Sequence, residues 1–164
     1  MKIQTTNSYY KRQLDIECLQ SMLVPSEDFT ELCPSVSKNK TKAVSGIQKL
    51  AQRYVVLFTT ELGSDVFMPD FGSTFIKTAE RCNVSSIYRL EFLANEANFV
   101  TKQLLKDEDP ETYGKQNDDE RLADSWIVSV SADYNERKIV VHAAIRSVAG
   151  DVLDFVVPTT NGIY

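Results

Sequence analysis

The sequence has little of what catalytic, metal-binding or membrane-spanning proteins usually need. It contains one histidine and three cysteines among 164 residues. Cys18, Cys33 and Cys82 are odd in number and widely spaced, which favours reduced thiols in an intracellular compartment and gives no pair the spacing of a zinc site. No apolar run approaches the roughly 20 residues of a membrane span, and the N-terminus lacks the apolar core of a signal peptide.

Basic residues are fewer than acidic ones. Acidic residues outnumber basic ones 23 to 18, which disfavours binding to nucleic acid or to an anionic membrane surface. Lys38, Lys40 and Lys42 form a short basic cluster that we interpret as solvated charge, with contact to an acidic partner as the alternative. The sequence contains no glycine-rich phosphate loop, and we predict neither a metal nor a cofactor.

The length of the chain predicts about one domain, with a core that needs no disulfide. We divide the chain into an N-terminal arm over 1–42, a main domain over 43–158 and a C-terminal tail over 159–164. In the arm, apolar residues at three- and four-residue intervals predict a short helix over 11–23. The polar stretch over 26–42 predicts a surface segment.

Two longer helices are predicted in the main domain, over about 43–61 and 84–106, with an irregular segment or a short helix over 75–83 between them. The stripe that should face the core in the first of them comprises Val44, Ile47, Ala51, Tyr54 and Phe58. The helix over 84–106 is apolar on several sides, which indicates that it packs on more than one neighbour or offers a face to another chain. The acid-rich stretch over 106–124 lacks the ligand order of a calcium loop and predicts a solvated loop.

The C-terminal third alternates between apolar and polar residues with a period of two. The residues expected to face the core are Trp126, Val128, Val130 and Ala132 in the first strand, Ile139, Val141, Ala143 and Ile145 in the second, and Leu153, Phe155 and Val157 in the third. Short turns join these strands into an antiparallel meander. The sequence therefore predicts a two-layer α+β domain, in which two or three helices pack on a three-stranded antiparallel sheet.

No group of catalytic residues stands out in this pattern. His142 lies in the middle of a predicted strand, with no serine, cysteine or aspartate near it in sequence that suggests a triad. A carboxylate pair for glycoside hydrolysis stays open as an alternative, although the acids fall mostly in loops where solvation explains them. The residues alone predict a binding domain rather than an enzyme.

The most distinctive stretch is an apolar connector over 57–73, between the first long helix and the next segment. Gly63 closes the helix end, Pro69 fixes an extended backbone and Gly72 permits a second turn. Two phenylalanines flank the proline, and no reactive side chain is present. We interpret the connector as a rigid structural turn beneath the core.

Residues 44–73 and the order of the later elements resemble the baseplate wedge and sheath-initiator family of contractile phage tails, which is related to the sheath initiator of type VI secretion baseplates. The resemblance extends over roughly 44–157. It begins with the amphipathic helix that carries Ile47 and Leu50 and continues through Thr59-Thr60 and Gly63-Ser64. The family motif falls on Gly63, Pro69, Asp70, Phe71 and Gly72, within the run Phe67-Met68-Pro69-Asp70-Phe71-Gly72.

In that family a Glu-Pro-Arg triplet leads into the antiparallel sheet. The corresponding residues here are Asp119, Glu120 and Arg121, so that the arginine and the first acid are kept and Glu120 replaces the proline. The resemblance implies that these three residues bind a partner. Arg121 would anchor a contact with a wedge protein or, equally, form a cap or salt bridge within the chain.

The resemblance implies a structural protein of the virion, located in the tail baseplate and assembled in the host bacterial cytoplasm. Its expected partners are other wedge proteins, the tail sheath protein and tube or hub proteins, without nucleic acid, membrane or cofactor. One branch of the family has been linked to an acid lysozyme activity, so a glycoside hydrolase is an alternative. A protein-binding module unrelated to phages is a further alternative.

The last predicted strand has neither a lysine nor an internal proline, the residues that commonly block the edge of a sheet. We expect Val152, Asp154 and Val156 to receive a strand from a sheath subunit through main-chain hydrogen bonds. The tail over 159–164 could instead fold back and cover this edge.

Overall fold

The computed structural model describes residues 15–16, 19–23, 30–34, 43–81, 87–108, 116–133 and 138–158. The strands are β1 (Asp15–Ile16), β2 (Leu19–Leu23), β3 (Thr30–Pro34), β4 (Ala43–Val44), β5 (Leu122–Asp133), β6 (Lys138–Ser147) and β7 (Val152–Pro158). The helices are α1 (Ile47–Thr59), α2 (Phe75–Arg81) and α3 (Ile87–Lys106).

Five of the strands form one sheet, in the order β2-β3-β7-β6-β5. Within it, β6 pairs antiparallel with both β5 and β7, which is the predicted meander. α1 packs on β6 and β7, α3 packs on β5, and α2 contacts both of the longer helices. The predicted α+β fold of helices on an antiparallel sheet is therefore confirmed.

The core is built around aromatic side chains of α1. Tyr54 and Phe58 are fully buried and stack with ring centroids 5.9 Å apart. Tyr54 meets Phe155 of β7 edge-on at 5.6 Å, and Phe58 contacts Phe75 of α2 at 5.0 Å. Burying each of these rings contributes about 1.5–3 kcal/mol. The helical stripe predicted for α1 is confirmed from Ile47 to Phe58. Val44 is buried but lies in β4, because the helix begins at Ile47 and not at 43.

A buried polar network joins the two layers. Asn98 of α3 accepts hydrogen bonds at Oδ1 from the Tyr54 hydroxyl (2.7 Å) and from the Ser125 hydroxyl (2.7 Å). Its Nδ2 donates to the Ser125 carbonyl at 3.3 Å. Burial raises the pKa of the Tyr54 phenol, so this group stays a protonated donor. One asparagine thus connects α1, α3 and β5.

The predicted direction of the side chains in the first half of β5 is wrong. The pairing between β5 and β6 shifts by one residue between Ile127 and Ser129, and such a bulge reverses the alternation of side chains. Ile127 therefore packs against the core, whereas Trp126 and Val128 are exposed. Beyond the bulge, the predicted inward positions of β5 are correct.

The predicted helix over 11–23 is also wrong, because the described residues of that segment lie in β1 and β2. β2 pairs with β3, and β1 pairs with β4. A short isolated helix is expensive to nucleate, and pairing with neighbouring strands satisfies the same backbone groups. The surface segment predicted over 26–42 likewise contains β3. Strands from the predicted arm thus extend the sheet of the main domain.

Several predictions fall outside the described residues. They are the states of Cys18 and Cys82, the basic cluster of Lys38, Lys40 and Lys42, the start of the helix predicted over 84–106, and the tail over 159–164. The segment predicted as irregular or helical over 75–83 contains α2. Within the described ranges, no helix combines the length and apolar character needed to cross a membrane.

Candidate partner-binding surfaces

Main-chain hydrogen bonds close the base of the connector between α1 and α2. The Ser73 amide donates to the Thr60 carbonyl at 2.8 Å, and the Leu62 amide donates to the Ser73 carbonyl at 2.9 Å. Glu61 and Ser73 thereby form a short parallel bridge. Glu61 also forms an ion pair with Lys77 of α2. The two ends of the connector are therefore fixed to each other and to the next helix.

Both predicted glycine turns are present in the connector, but Gly63 does not close α1, because the helix ends at Thr59 with Thr60 in the C-cap position. Gly63 has φ +80° and Gly72 has φ +106°, values that side chains with a Cβ rarely adopt. A Cβ on Gly72 would lie 2.5 Å from the Thr60 carbonyl oxygen. Two features therefore require glycine at position 72: the positive φ and the close approach of the Thr60 main chain.

Between these turns, Val66, Phe67 and Met68 form an exposed apolar protrusion that we call the connector tip. Phe67 is 94% exposed and Val66 is 88% exposed. The Asp65 carboxylate accepts hydrogen bonds at Oδ1 from the Phe67 amide (2.8 Å) and the Met68 amide (3.3 Å). The Phe71 amide donates to the Met68 carbonyl at 3.0 Å. The tip is therefore held in one shape although it is exposed.

The interpretation of the connector as a turn beneath the core is correct for one of the two phenylalanines that flank Pro69. Phe71 packs against the core, whereas Phe67 points into solvent. Asp70 of the family motif is also exposed. The motif thus contains exposed residues as well as buried ones, and it does not simply close a turn.

Glu120 lies in the interior, contrary to the prediction that it binds a partner. Its side chain is only 2% exposed and forms an ion pair with Lys49 of α1 at 3.3 Å. It also accepts a hydrogen bond from the Gly46 amide at 3.2 Å. Gly46 occupies the N-cap position of α1 and has no side chain to cap the helix. Glu120 thus binds the main chain of the N-cap residue itself, and its negative charge suits the positive end of the helix dipole.

A second interior contact holds the loop before β5 against α1. Arg53 forms an ion pair with Glu108, which follows α3. Its Nη1 also donates to the Gln116 side chain at 3.3 Å and to the Glu120 carbonyl at 3.4 Å. Sequence reasoning missed this cluster. The pattern that could have revealed it is the spacing of Lys49 and Arg53, one helical turn apart and followed later by an acid-rich segment.

Arg121 is exposed, unlike its neighbour Glu120. Its guanidinium lies 3.4 Å from the carboxylate of Asp118, and both side chains are more than half exposed. Its carbonyl accepts a hydrogen bond from the Val148 amide at 2.9 Å. The main chain of Arg121 is therefore fixed against the turn between β6 and β7, while its side chain faces solvent. Asp119 of the same triplet is partly buried.

Part of the outer edge of β7 is paired within the chain, contrary to the prediction that this edge is open to another strand. β3 pairs with it in parallel, with Thr30 opposite Phe155 and Glu31 opposite Val156. Val152 and Asp154 are exposed, but Val156 is buried. Residues that the sequence pattern assigned to a separate arm thus occupy this edge. Within the described sheet, the outermost strands are β2 and β5.

The outer face of α3 carries exposed aromatic side chains. Tyr88, Phe92 and Phe99 are all more than 60% exposed and stand at positions i, i+4 and i+11 of the helix, which lie on one side. The opposite side of α3, which includes Leu90 and Ala94, is buried. α3 therefore packs on the domain with one face and presents an aromatic stripe with the other, as expected of a helix that contacts another chain.

Among the residues whose side chains are described, Glu120 is the only fully buried carboxylate, and it is engaged by Lys49 and Gly46. The same part of the chain contains no cluster of three or more potential metal ligands. No family model matches this chain, and no curated protein sequence is significantly similar to it.

Proposed function

We propose that the chain is a structural component of a contractile tail baseplate, which joins wedge proteins around the central tube and initiates the first ring of sheath. The order of its elements carries this proposal. A glycine turn at Gly63 and a Pro-Asp-Phe-Gly connector follow α1, and α3 leads through an acid–arginine segment into an antiparallel meander. The family that the sequence resembles has the same order.

Two surfaces of the domain suit the wedge contact. The aromatic stripe of α3 offers Tyr88, Phe92 and Phe99 to a partner helix, and exposed aromatic clusters of this kind are typical of protein interfaces. Arg121 offers a guanidinium that can form bidentate hydrogen bonds with a carboxylate. The virion, and within it the tail baseplate, is the location that follows from this proposal.

Strand addition by a sheath subunit is favoured at an outermost strand of the sheet over β7, which β3 already pairs at Phe155 and Val156. β5 carries two register shifts, and bulges in an edge strand hinder the addition of a further strand. β2 has the sequence Leu-Gln-Ser-Met-Leu, with neither lysine nor proline. We therefore assign the sheath contact to the outer edge of β2, and β3 connects that strand to the meander.

A hydrolase is the competing function, and the proposal holds that the chain lacks this activity. Among the described side chains, the one fully buried carboxylate is that of Glu120, and its contacts with Lys49 and with the Gly46 amide hold α1 to the loop before β5. The purified chain should release no soluble fragments from peptidoglycan at acidic or neutral pH. Release that disappears when one specific carboxylate is replaced would support the hydrolase instead.

The baseplate proposal is tested by reconstitution with the proteins encoded beside the gene of this chain. We expect tail-sheath, tube and wedge genes among those neighbours. The purified chain should bind the wedge protein, and electron microscopy should show sheath rings that start on the wedge only when the chain is present. The double variant Phe92→Ala, Phe99→Ala should lose the wedge complex. Sheath that starts equally well without the chain would refute the proposal.

A further inference from the structure

We propose that the connector tip docks into an apolar pocket of a partner protein, and that the rim of this pocket carries lysine or arginine side chains. The proposal concerns a surface distinct from the α3 stripe and from the edge of β2. It does not depend on the baseplate assignment, because it follows from the shape and the charge of the connector alone.

The exposure of the tip is the first observation. Val66 and Phe67 are almost fully exposed, and Met68 follows them at 44%. Three consecutive apolar side chains in water lose the free energy that burial would provide, and exposed apolar clusters mark interaction sites. Phenylalanine and methionine are also enriched in the buried centres of interfaces.

The rigidity of the tip is the second observation. The Asp65 carboxylate binds two tip amides, and the Glu61–Ser73 bridge closes the base of the connector. Gly72 brings the returning strand of the connector against the Thr60 carbonyl. A main chain that is already held in position loses less conformational entropy on binding. The tip is thus a pre-organised anchor of the kind that fills a pocket.

The charges that flank the tip indicate which charge its partner carries. No lysine or arginine occurs between Arg53 and Lys77, whereas Glu61, Asp65 and Asp70 fall in this interval. Lys77 is paired with Glu61. The flanks of the tip are therefore acidic, and the complementary rim is basic. The same charge disfavours insertion into an anionic lipid surface, which repels carboxylates.

The first experiment identifies what the tip contacts. A photo-crosslinking phenylalanine analogue replaces Phe67 in the full chain, which is produced together with the proteins of its neighbouring genes. The same analogue at Phe99, which is 61% exposed on α3, is the matched control. We expect position 67 to crosslink to one segment of one protein that contains apolar residues and nearby lysines or arginines, and position 99 to give a different product.

The second experiment measures binding to that purified protein. Phe67→Ala should raise the dissociation constant about tenfold or more, as removal of a central anchor does. Its melting temperature should be unchanged because the side chain is exposed. Asp70→Lys should weaken binding at about 0.05 M salt and much less at about 0.5 M salt, where charges are screened. Asp107→Lys makes the same charge change at an exposed site after α3 and should leave the affinity unchanged.

Several other outcomes would contradict the inference. Crosslinks to a second copy of the chain, to lipid, or to an acidic or purely polar segment would exclude the basic-rimmed pocket. The absence of a crosslink specific to position 67 would exclude docking, as would an unchanged affinity of Phe67→Ala. Flotation with vesicles of phosphatidylglycerol and phosphatidylcholine that requires Phe67 would assign the tip to membranes. A crosslinked partner that is not a baseplate protein would refute the proposed function and leave this inference standing.

Discussion

Gly72 closes the connector through its lack of a side chain. Its φ is +106°, and a Cβ added to it would lie 2.5 Å from the Thr60 oxygen, which leaves no room for another residue. Gly150, in the turn between β6 and β7, has a similar φ of +95° but open space where a Cβ would lie. A comparison of alanine variants at the two positions therefore separates the free-energy cost of the positive φ from the cost of the steric clash.

Gly72→Ala should lower the free energy of unfolding by about 2–4 kcal/mol, because it combines left-handed strain with a steric clash. Gly150→Ala, the matched control, should cost about 1–2 kcal/mol from the backbone angle alone. Urea unfolding of the three proteins measures both values. Equal losses for the two variants would show that the Thr60 carbonyl moves away at little cost.

Asp124, near the start of β5, is a carboxylate whose pKa is shifted by identifiable neighbours. The pKa of Asp124 is lowered, above all because Lys102 of α3 donates a hydrogen bond to its carboxylate. The Ser125 amide and the charge of Arg146 act in the same direction, while desolvation opposes them. A carboxyl whose pKa is lower in the folded state stabilises the protein above its unfolded pKa of about 3.9. This stabilisation disappears as the pH falls through the folded pKa.

Lys102→Met should therefore raise the pKa of Asp124 towards its ordinary value and reduce the loss of stability as the pH falls below about 4. An NMR titration of the Asp124 carboxyl carbon gives the pKa, and urea unfolding at several pH values gives the stability. Lys106→Met removes the same charge one helical turn later and should leave the Asp124 pKa unchanged. A similar pKa change in both variants would indicate a general charge effect rather than this hydrogen bond.

At the scale of elements, the contact between α1 and the loop before β5 decides how the two layers join. Glu120 caps the N-terminus of α1 and pairs with Lys49, although the two segments are 71 residues apart. Arg53 binds the carbonyl of the same glutamate. Glu120 thus has a structural role, which a proline at this position could not fill.

Glu120→Gln should destabilise the fold by about 3 kcal/mol, because it removes the charged partner of Lys49 from a buried ion pair. Asp118→Asn, which changes an exposed acid of the same loop, should alter the stability by less than about 0.5 kcal/mol. Thermal or urea unfolding compares the two variants. If both had equally small effects, the Glu120 carboxylate would not stabilise the start of α1.

Patterns of period 3.6 and 2 were sufficient to predict α1, α3 and the three-stranded meander, because in these elements the buried face alone determines the pattern. The bulge at Val128 could not be predicted, since it inserts one residue without any glycine or proline to mark it. The strands of the N-terminal segment were missed because their pattern is weak and their stability comes from distant partners. Of the candidate site, the glycine turns were predictable, but the interior position of Glu120 was not.

The pairing of β3 with β7 predicts slow amide exchange at the outer edge of β7. The amides of Phe155 and Val156 should exchange slowly in the isolated chain, whether they bond to β6 or to β3. Exchange rates of an unstructured peptide with the same sequence serve as the unprotected reference. Fast exchange of whichever of these two amides does not bond to β6 would show that β3 leaves this edge open, and would restore β7 as a site for strand addition.

At the scale of the whole molecule, the described surface separates features that stabilise the fold from features that are free to bind. The Arg53 and Glu120 contacts lie inside, whereas the α3 stripe, the connector tip and the Arg121 guanidinium lie outside. Replacing the outer groups should affect assembly and leave stability nearly unchanged. Replacing the inner groups should do the reverse.

Arg121→Ala tests this separation, because the residue adjoins Glu120 but faces solvent. The variant loses an exposed pair with Asp118 and should change the free energy of unfolding by no more than about 0.5 kcal/mol. If Arg121 anchors the wedge, it contributes a charge-assisted contact of about 1.5–3 kcal/mol. The dissociation constant of the wedge complex should then rise more than tenfold.

Arg121→Lys refines the result, since lysine keeps the charge but cannot form the bidentate contact of a guanidinium. Its affinity for the wedge protein should fall between those of the original chain and Arg121→Ala. Isothermal titration calorimetry measures the affinity, and urea unfolding of the same samples measures the stability. An Arg121→Ala variant that unfolds easily yet assembles normally would make the arginine a structural residue, and the aromatic stripe of α3 would then have to hold the wedge protein without it.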